Sequence, residues 1–162
     1  MTSIRAVLAF AAFVATAPHV HAADASRLDP KALSFVLPKD IKWMPGSPGA
    51  EVAVLQGDPQ KPGELYVLLN KWKAGNNFSR PHFHENDRYI YVLSGTWWVG
   101  TGDVFDPENA TVPMPAGSYV VHHAKQVHWD GAKTEDTIIA IVGIGPAASK
   151  PSPTAKIPPE KK

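Results

Sequence analysis

Short runs of β-forming residues, each closed by a turn signal, constrain this chain more than any other feature. Residues 51–56 (EVAVLQ) run into Gly57-Asp58-Pro59, and residues 64–69 (ELYVLL) follow. Residues 88–93 (RYIYVL) end at Ser94-Gly95, with 96–99 (TWWV) directly after. Residues 110–114 lead to Pro115-Ala116-Gly117, residues 118–121 come next, and residues 137–144 (TIIAIVGI) are the most apolar. Branched and aromatic side chains of this kind fit a pleated, half-buried surface. Beyond the first 22 residues no long segment carries a 3.6-residue period. With 16 Pro and 12 Gly punctuating the chain, the pattern predicts an all-β domain and leaves sandwich, lipocalin-like barrel and jelly roll open.

The ends read differently. Arg5, the uncharged apolar run 6–17 and Val20-His21-Ala22 have the layout of a secretory signal cleaved after Ala22. The run is too short to serve as a membrane anchor, since a bilayer core of roughly 30 Å needs about 20 apolar residues. A periplasmic or secreted protein is expected. Residues 23–40 read as an N-terminal arm and 41–145 as the barrel domain. Residues 146–162, rich in Pro and Lys, read as a disordered tail. The chain has 16 basic and 15 acidic residues, so nothing in its charge points to nucleic acid or to an acidic lipid surface. It has no cysteine, which excludes disulfides, thiolate metal sites and a cysteine nucleophile.

Five histidines lie outside the signal, at 82, 84, 122, 123 and 128. On a strand, residues i and i+2 point to the same face. His82-Phe83-His84 therefore projects two imidazoles into one space at a separation that one metal ion can bridge. A third ligand must come from another strand, and His128 is the natural donor. A polar strand face is the plain alternative. His122 and His123 cannot both point inward. Of this pair, His123 is taken as a candidate general base.

The stretch Gly75 to Gly95 (GNNFSRPHFHENDRYIYVLSG) resembles the first motif of the cupin family, and Gly117 to His128 (GSYVVHHAKQVH) resembles the second in spacing. The resemblance spans roughly residues 50–145. It implies a single double-stranded β-helix, or jelly-roll, barrel with one divalent metal held by His82, His84 and His128. Fe2+ is the expected ion, with Zn2+, Mn2+ and Ni2+ left open.

This chain departs from the family at informative places. The glutamate ligand of the first motif is replaced by Arg88, seven residues before Gly95. In the second motif His123 stands for the proline and Lys125 for the glycine. Three-histidine sets without the glutamate occur in some cupins, certain iron dioxygenases among them. Three neutral imidazoles leave the ion at +2, which favours an anionic ligand. Arg88 has the strand parity of an inward residue and is a candidate both for catalysis and for anchoring a substrate carboxylate. The alternative is a salt bridge to Asp87, Asp103 or Asp106. Arg80 carries the same two readings. Trp97 is a candidate substrate contact, with core or dimer-interface packing as the alternative; it and Trp98 face opposite ways, so at most one lines the interior.

The expectation is an exported, metal-dependent enzyme acting on a small molecule, of the iron dioxygenase type. A Zn, Mn or Ni lyase or isomerase and a non-catalytic binding module are the alternatives. A homodimer is a further expectation, from the exposed sheet edge.

Overall fold

Buried and exposed side chains alternate through the apolar segments, the pattern of strands with one face in a core. The computed structural model describes residues 27–158, so the signal expected over 1–22 lies outside the described residues. Residues 27–35 form a unit of their own, where the Ala32 N–H donates to the Asp29 carbonyl (3.0 Å) and closes a turn. The second unit begins at Val36. After a 3₁₀ turn at Pro38–Asp40 it contains strands β1 (Met44–Pro45), β2 (Ala50–Gln56), β3 (Leu65–Trp72), β4 (Asn77–Phe78), β5 (His82–Phe83) and β6 (Arg88–Ser94). These are followed by β7 (Thr96–Thr101), β8 (Val112–Pro115), β9 (Tyr119–His122), β10 (His128–Ala132), β11 (Thr137–Ile144) and β12 (Lys150–Pro151).

The strands form two antiparallel six-stranded sheets. One runs β1-β2-β3-β11-β6-β9 and the other β12-β5-β10-β7-β8, with β4 joined to β10. Strand accounts for 45% and helix for 3% of the structure, the all-β jelly roll that the runs and motifs predict. Thr137, Ile139 and Ile141 of β11 and Ile90 and Val92 of β6 are buried. The four aliphatic residues among them pack with Leu68 and Trp72 of β3 and with Trp97 and Val99 of β7, so the core draws on both sheets. Each such aliphatic side chain contributes roughly 1.5–3 kcal/mol by leaving water.

Strand β10 (HWDGA) is buried on both faces. His128, Asp130 and Ala132 share one face by parity. Trp129 turns the other way, and its ring meets Phe78 and Phe105 at centroid distances of 6.1 and 5.1 Å. The next strand makes room for it: a Cβ on Gly100 would stand 2.3 Å from the Trp129 ring.

The disordered tail expected over 146–162 is corrected as far as Pro158. Strand β12 pairs with β5 in the register Lys150↔Phe83 and Pro151↔His82. The Ser152 N–H donates to the Pro81 carbonyl (2.9 Å), and the Ser152 hydroxyl donates to Asp103 (2.5 Å). Lys150 pairs with Glu85 (2.5 Å). Composition argued for disorder because the segment has few apolar side chains to bury. The backbone ladder and these polar anchors supply the order instead.

Candidate metal centre and ligand cavity

Two rungs of the sheets bring the polar residues together. In the first sheet, Tyr66, Gly143, Arg88 and His122 lie side by side across β3, β11, β6 and β9. In the second, Pro151, His82, His128 and Thr101 lie side by side across β12, β5, β10 and β7. Gly143 matters here, because a Cβ at that position would stand 2.5 Å from the Tyr66 hydroxyl. Its absence lets Tyr66 lie across the rung against the Arg88 guanidinium.

His82, His84 and His128 are all buried, and one donor nitrogen from each lies within 4.8 Å of the others. Their ring centroids are 4.5 to 5.3 Å apart. Each ring is oriented by the main chain through Nδ1. His82 donates to the Arg80 carbonyl (2.8 Å), His128 to the Gln126 carbonyl (3.0 Å) and His84 to the Ala147 carbonyl (3.1 Å). A proton fixed on Nδ1 leaves the Nε2 lone pair free, the arrangement by which metal-binding histidines are held in place. The His128 Nε2 is buried with no hydrogen-bond partner. This donor set fits a divalent ion held by imidazoles.

Arg88 points inward, as strand parity predicts. Its Nη1 donates to Nε2 of His84. Tyr66 and Asp130, rather than Asp87, Asp103 or Asp106, are the groups that act on its charge. Asp130 is buried, and its carboxylate accepts from the Ser79 hydroxyl (3.3 Å).

Burial governs protonation in this space. It holds the His84 pKa down at about 2, helped by the nearby Arg88 charge. It holds His128 at about 3, helped by His82. Burial also keeps His122 well below its ordinary range, and pushes Asp130 and Tyr66 up. His84, His122 and His128 are therefore neutral at physiological pH.

A cavity of about 560 Å³ opens onto His82, Arg88, His122 and Asp130, with Leu68, Trp72, Ile90, Ile139 and Ile141 as its apolar wall. A second, outer groove of about 940 Å³ shares Ser79 and His82 with it. Arg80 lines that groove rather than the cavity, with its guanidinium 4.9 Å from the Phe105 ring centroid.

Two sequence expectations are corrected in placement. The His123 side chain is 71% exposed, with Nδ1 3.9 Å from Asp87. His122 takes the inward position, because it lies in register with Arg88 and shares its face. Trp97 is 0% exposed and belongs to the core, with its ring 5.4 Å from that of His122. It supports His122 from behind and does not line the cavity.

The sequence reading missed Tyr66, Asp130 and Ser79. Parity within β10 and pairing across β3 and β11 were the signals that could have found the first two. Lys125 stands at the glycine position of the second motif and still adopts the left-handed conformation, φ +61°. Its N–H donates to the His84 carbonyl (2.8 Å), which keeps the turn.

The family described as the ChrR cupin-like domain matches residues 31–148. No curated protein matches the chain. Among solved structures, KdgF from Halomonas sp. is 21% identical with a TM-score of 0.54, over 68% of this chain and 94% of that one. The polyketide cyclase RemF from Streptomyces resistomycificus is 20% identical with a TM-score of 0.57, over 69% and 79%. The DMSP lyase DddQ from Ruegeria pomeroyi DSS-3 is 13% identical with a TM-score of 0.56, over 72% and 64%. At these identities the likeness is one of fold. The match over residues 31–148, together with the histidine arrangement inside the barrel, places the chain in the ChrR cupin-like domain family.

Proposed function

We propose that this chain is an exported, metal-dependent enzyme that acts on a small anionic molecule able to chelate the ion, by non-haem iron dioxygenase chemistry. The observation that carries this reading is the convergence of His82, His84 and His128, each held at Nδ1 by a main-chain carbonyl, beside the buried Arg88. A bound divalent ion supplies Lewis-acid polarisation of substrate oxygens and, as iron, a route to dioxygen.

The chain's own residues account for the substrate's charge. Imidazoles that bind an ion through a lone pair are neutral, and with Asp130 taken as the counter-charge of Arg88 a divalent ion raises the interior to about +2. A dianionic chelating ligand restores neutrality, with the Arg88 guanidinium as its carboxylate anchor. The apolar wall of Leu68, Ile90, Ile139 and Ile141 keeps water from competing with these contacts. Export rests on the layout of residues 1–22. Among the described residues no helix is long and apolar enough to cross a membrane.

A second reading has its own support. Tyr66 against Arg88, and His122 on the cavity with both ring nitrogens unpartnered, are acid–base groups. They suit a non-oxidative lyase or cyclisation reaction, the kinds of activity named for DddQ and RemF.

One experiment separates the two. The metal-free protein is loaded anaerobically with Fe2+, Zn2+, Mn2+ or Ni2+ and offered diketones, diphenols and hydroxy acids, with oxygen uptake and product mass both followed. Oxygen uptake with iron alone supports the dioxygenase. Turnover without oxygen supports the second reading. Ligand binding without turnover under any loading overturns both and leaves a binding module.

A further inference from the structure

His122 is the least satisfied side chain in the cavity. It is 5% exposed, and neither ring nitrogen has a hydrogen-bond partner. Buried polar groups left in this state call for an explanation, such as a missing ion or water. The ring is packed in place, with its centroid 3.6 Å from that of His128 and 5.4 Å from Trp97. Two residues beyond His128, on the same face of β10, stands the buried carboxylate of Asp130. One donor atom from each of His122, His128 and Asp130 lies within 4.8 Å of the others.

The geometry points to a second seat for a divalent cation, made of His122, His128 and Asp130 and sharing His128 with the three-histidine set. The inference rests on reading the interior as a metal centre and changes which residues hold the ion. Two imidazoles and one carboxylate form a donor set that divalent transition metals accept. Asp130 supplies the negative charge that three neutral histidines lack.

The two seats are alternatives. The His128 Nδ1 is committed to the Gln126 carbonyl, so that ring offers a single lone pair. Arg88 biases the choice: while it donates to Nε2 of His84, the three-histidine seat is short of one donor and the second seat keeps all of its own.

The test titrates metal-free, full-length protein with Co2+, following heat and visible absorption, for wild type, His84→Gln, and His84→Gln combined with Asp130→Asn. Wild type takes one ion per chain. His84→Gln still takes one ion, with affinity reduced by no more than about tenfold, because the second seat is intact. Adding Asp130→Asn weakens binding at least about a hundredfold further, the upper end of what loss of a supporting group does at a metal site. His122→Gln in place of Asp130→Asn gives the same loss, and circular dichroism establishes that each variant is folded. Loss of all binding in His84→Gln overturns the second seat, as does a double variant that binds like His84→Gln. In either case a wild type that binds one ion leaves the three-histidine centre standing. A wild type that binds no ion removes both.

Discussion

Arg88 donates through Nη1 to Nε2 of His84, the nitrogen with which His84 would hold a metal ion. A fixed cation thus sits where the family motif places a carboxylate, and it competes with the ion for the same lone pair. The Tyr66 hydroxyl gives the guanidinium another hydrogen-bond partner when that bond is broken, and Asp130 acts on it electrostatically.

Replacing Arg88 by Gln therefore strengthens metal binding. Like charges a few ångströms apart inside a protein repel by more than 1 kcal/mol, so Zn2+ affinity rises about tenfold or more. Competition with a chromophoric chelator measures this. The same substitution weakens binding of an anionic probe such as oxalate to the loaded protein. Weaker Zn2+ binding by the variant would show that Arg88 supports the centre and does not compete with it.

Acid destabilises the metal-free protein. The folded pKa values of His84 and His128, about 2 and about 3, lie below the ordinary value of 6.5. Below about pH 6.5 the unfolded chain takes up protons that these folded histidines refuse, so stability is full above that pH and is lost as the pH falls. The slope is at most about 1.4 kcal/mol per pH unit for each histidine. Asp130, with its pKa raised by burial, opposes the trend above about pH 4 without reversing it. Urea midpoints at pH 7 and pH 5 check this: the pH 5 value is lower, and an equal or higher value contradicts the account.

Much of this was legible in the sequence, for definable reasons. Strands such as 88–93 and 137–144 stand out as runs of branched and aromatic residues. His82, His84 and His128 followed from period-two parity and motif spacing, and Arg88 from the same parity. The missed residues depend on register between strands. Tyr66 reaches Arg88 only because β11 places Gly143 between them, and a single chain does not display its pairing. The choice of His122 over His123 as the inward residue likewise depends on pairing with Arg88. The tail was misread because composition measures apolar side chains and takes no account of a backbone ladder to β5.

Cutting the chain after Gly145 tests what the tail does for the site. It removes the Ala147 carbonyl that orients His84 and the strand that pairs with His82. Loss of such orienting contacts lowers metal affinity about 10- to 100-fold, which the same chelator competition reads. Unchanged affinity would make the tail a bystander.

Gly100→Ala tests the packing behind β10. The added Cβ meets the Trp129 ring at 2.3 Å, and overpacking of this kind costs about 1–3 kcal/mol. Thermal unfolding should show a lower melting temperature. A melting temperature for Gly100→Ala equal to wild type contradicts the packing described for Trp129.

The most direct measurement is the metal content of untagged, full-length protein purified without chelator, by mass spectrometry of the elements, beside a His82→Ala/His84→Ala/His128→Ala variant. The account predicts close to one divalent ion per chain in the wild type and none in the variant. A wild type that carries no ion, and takes up none when one is offered, would contradict it.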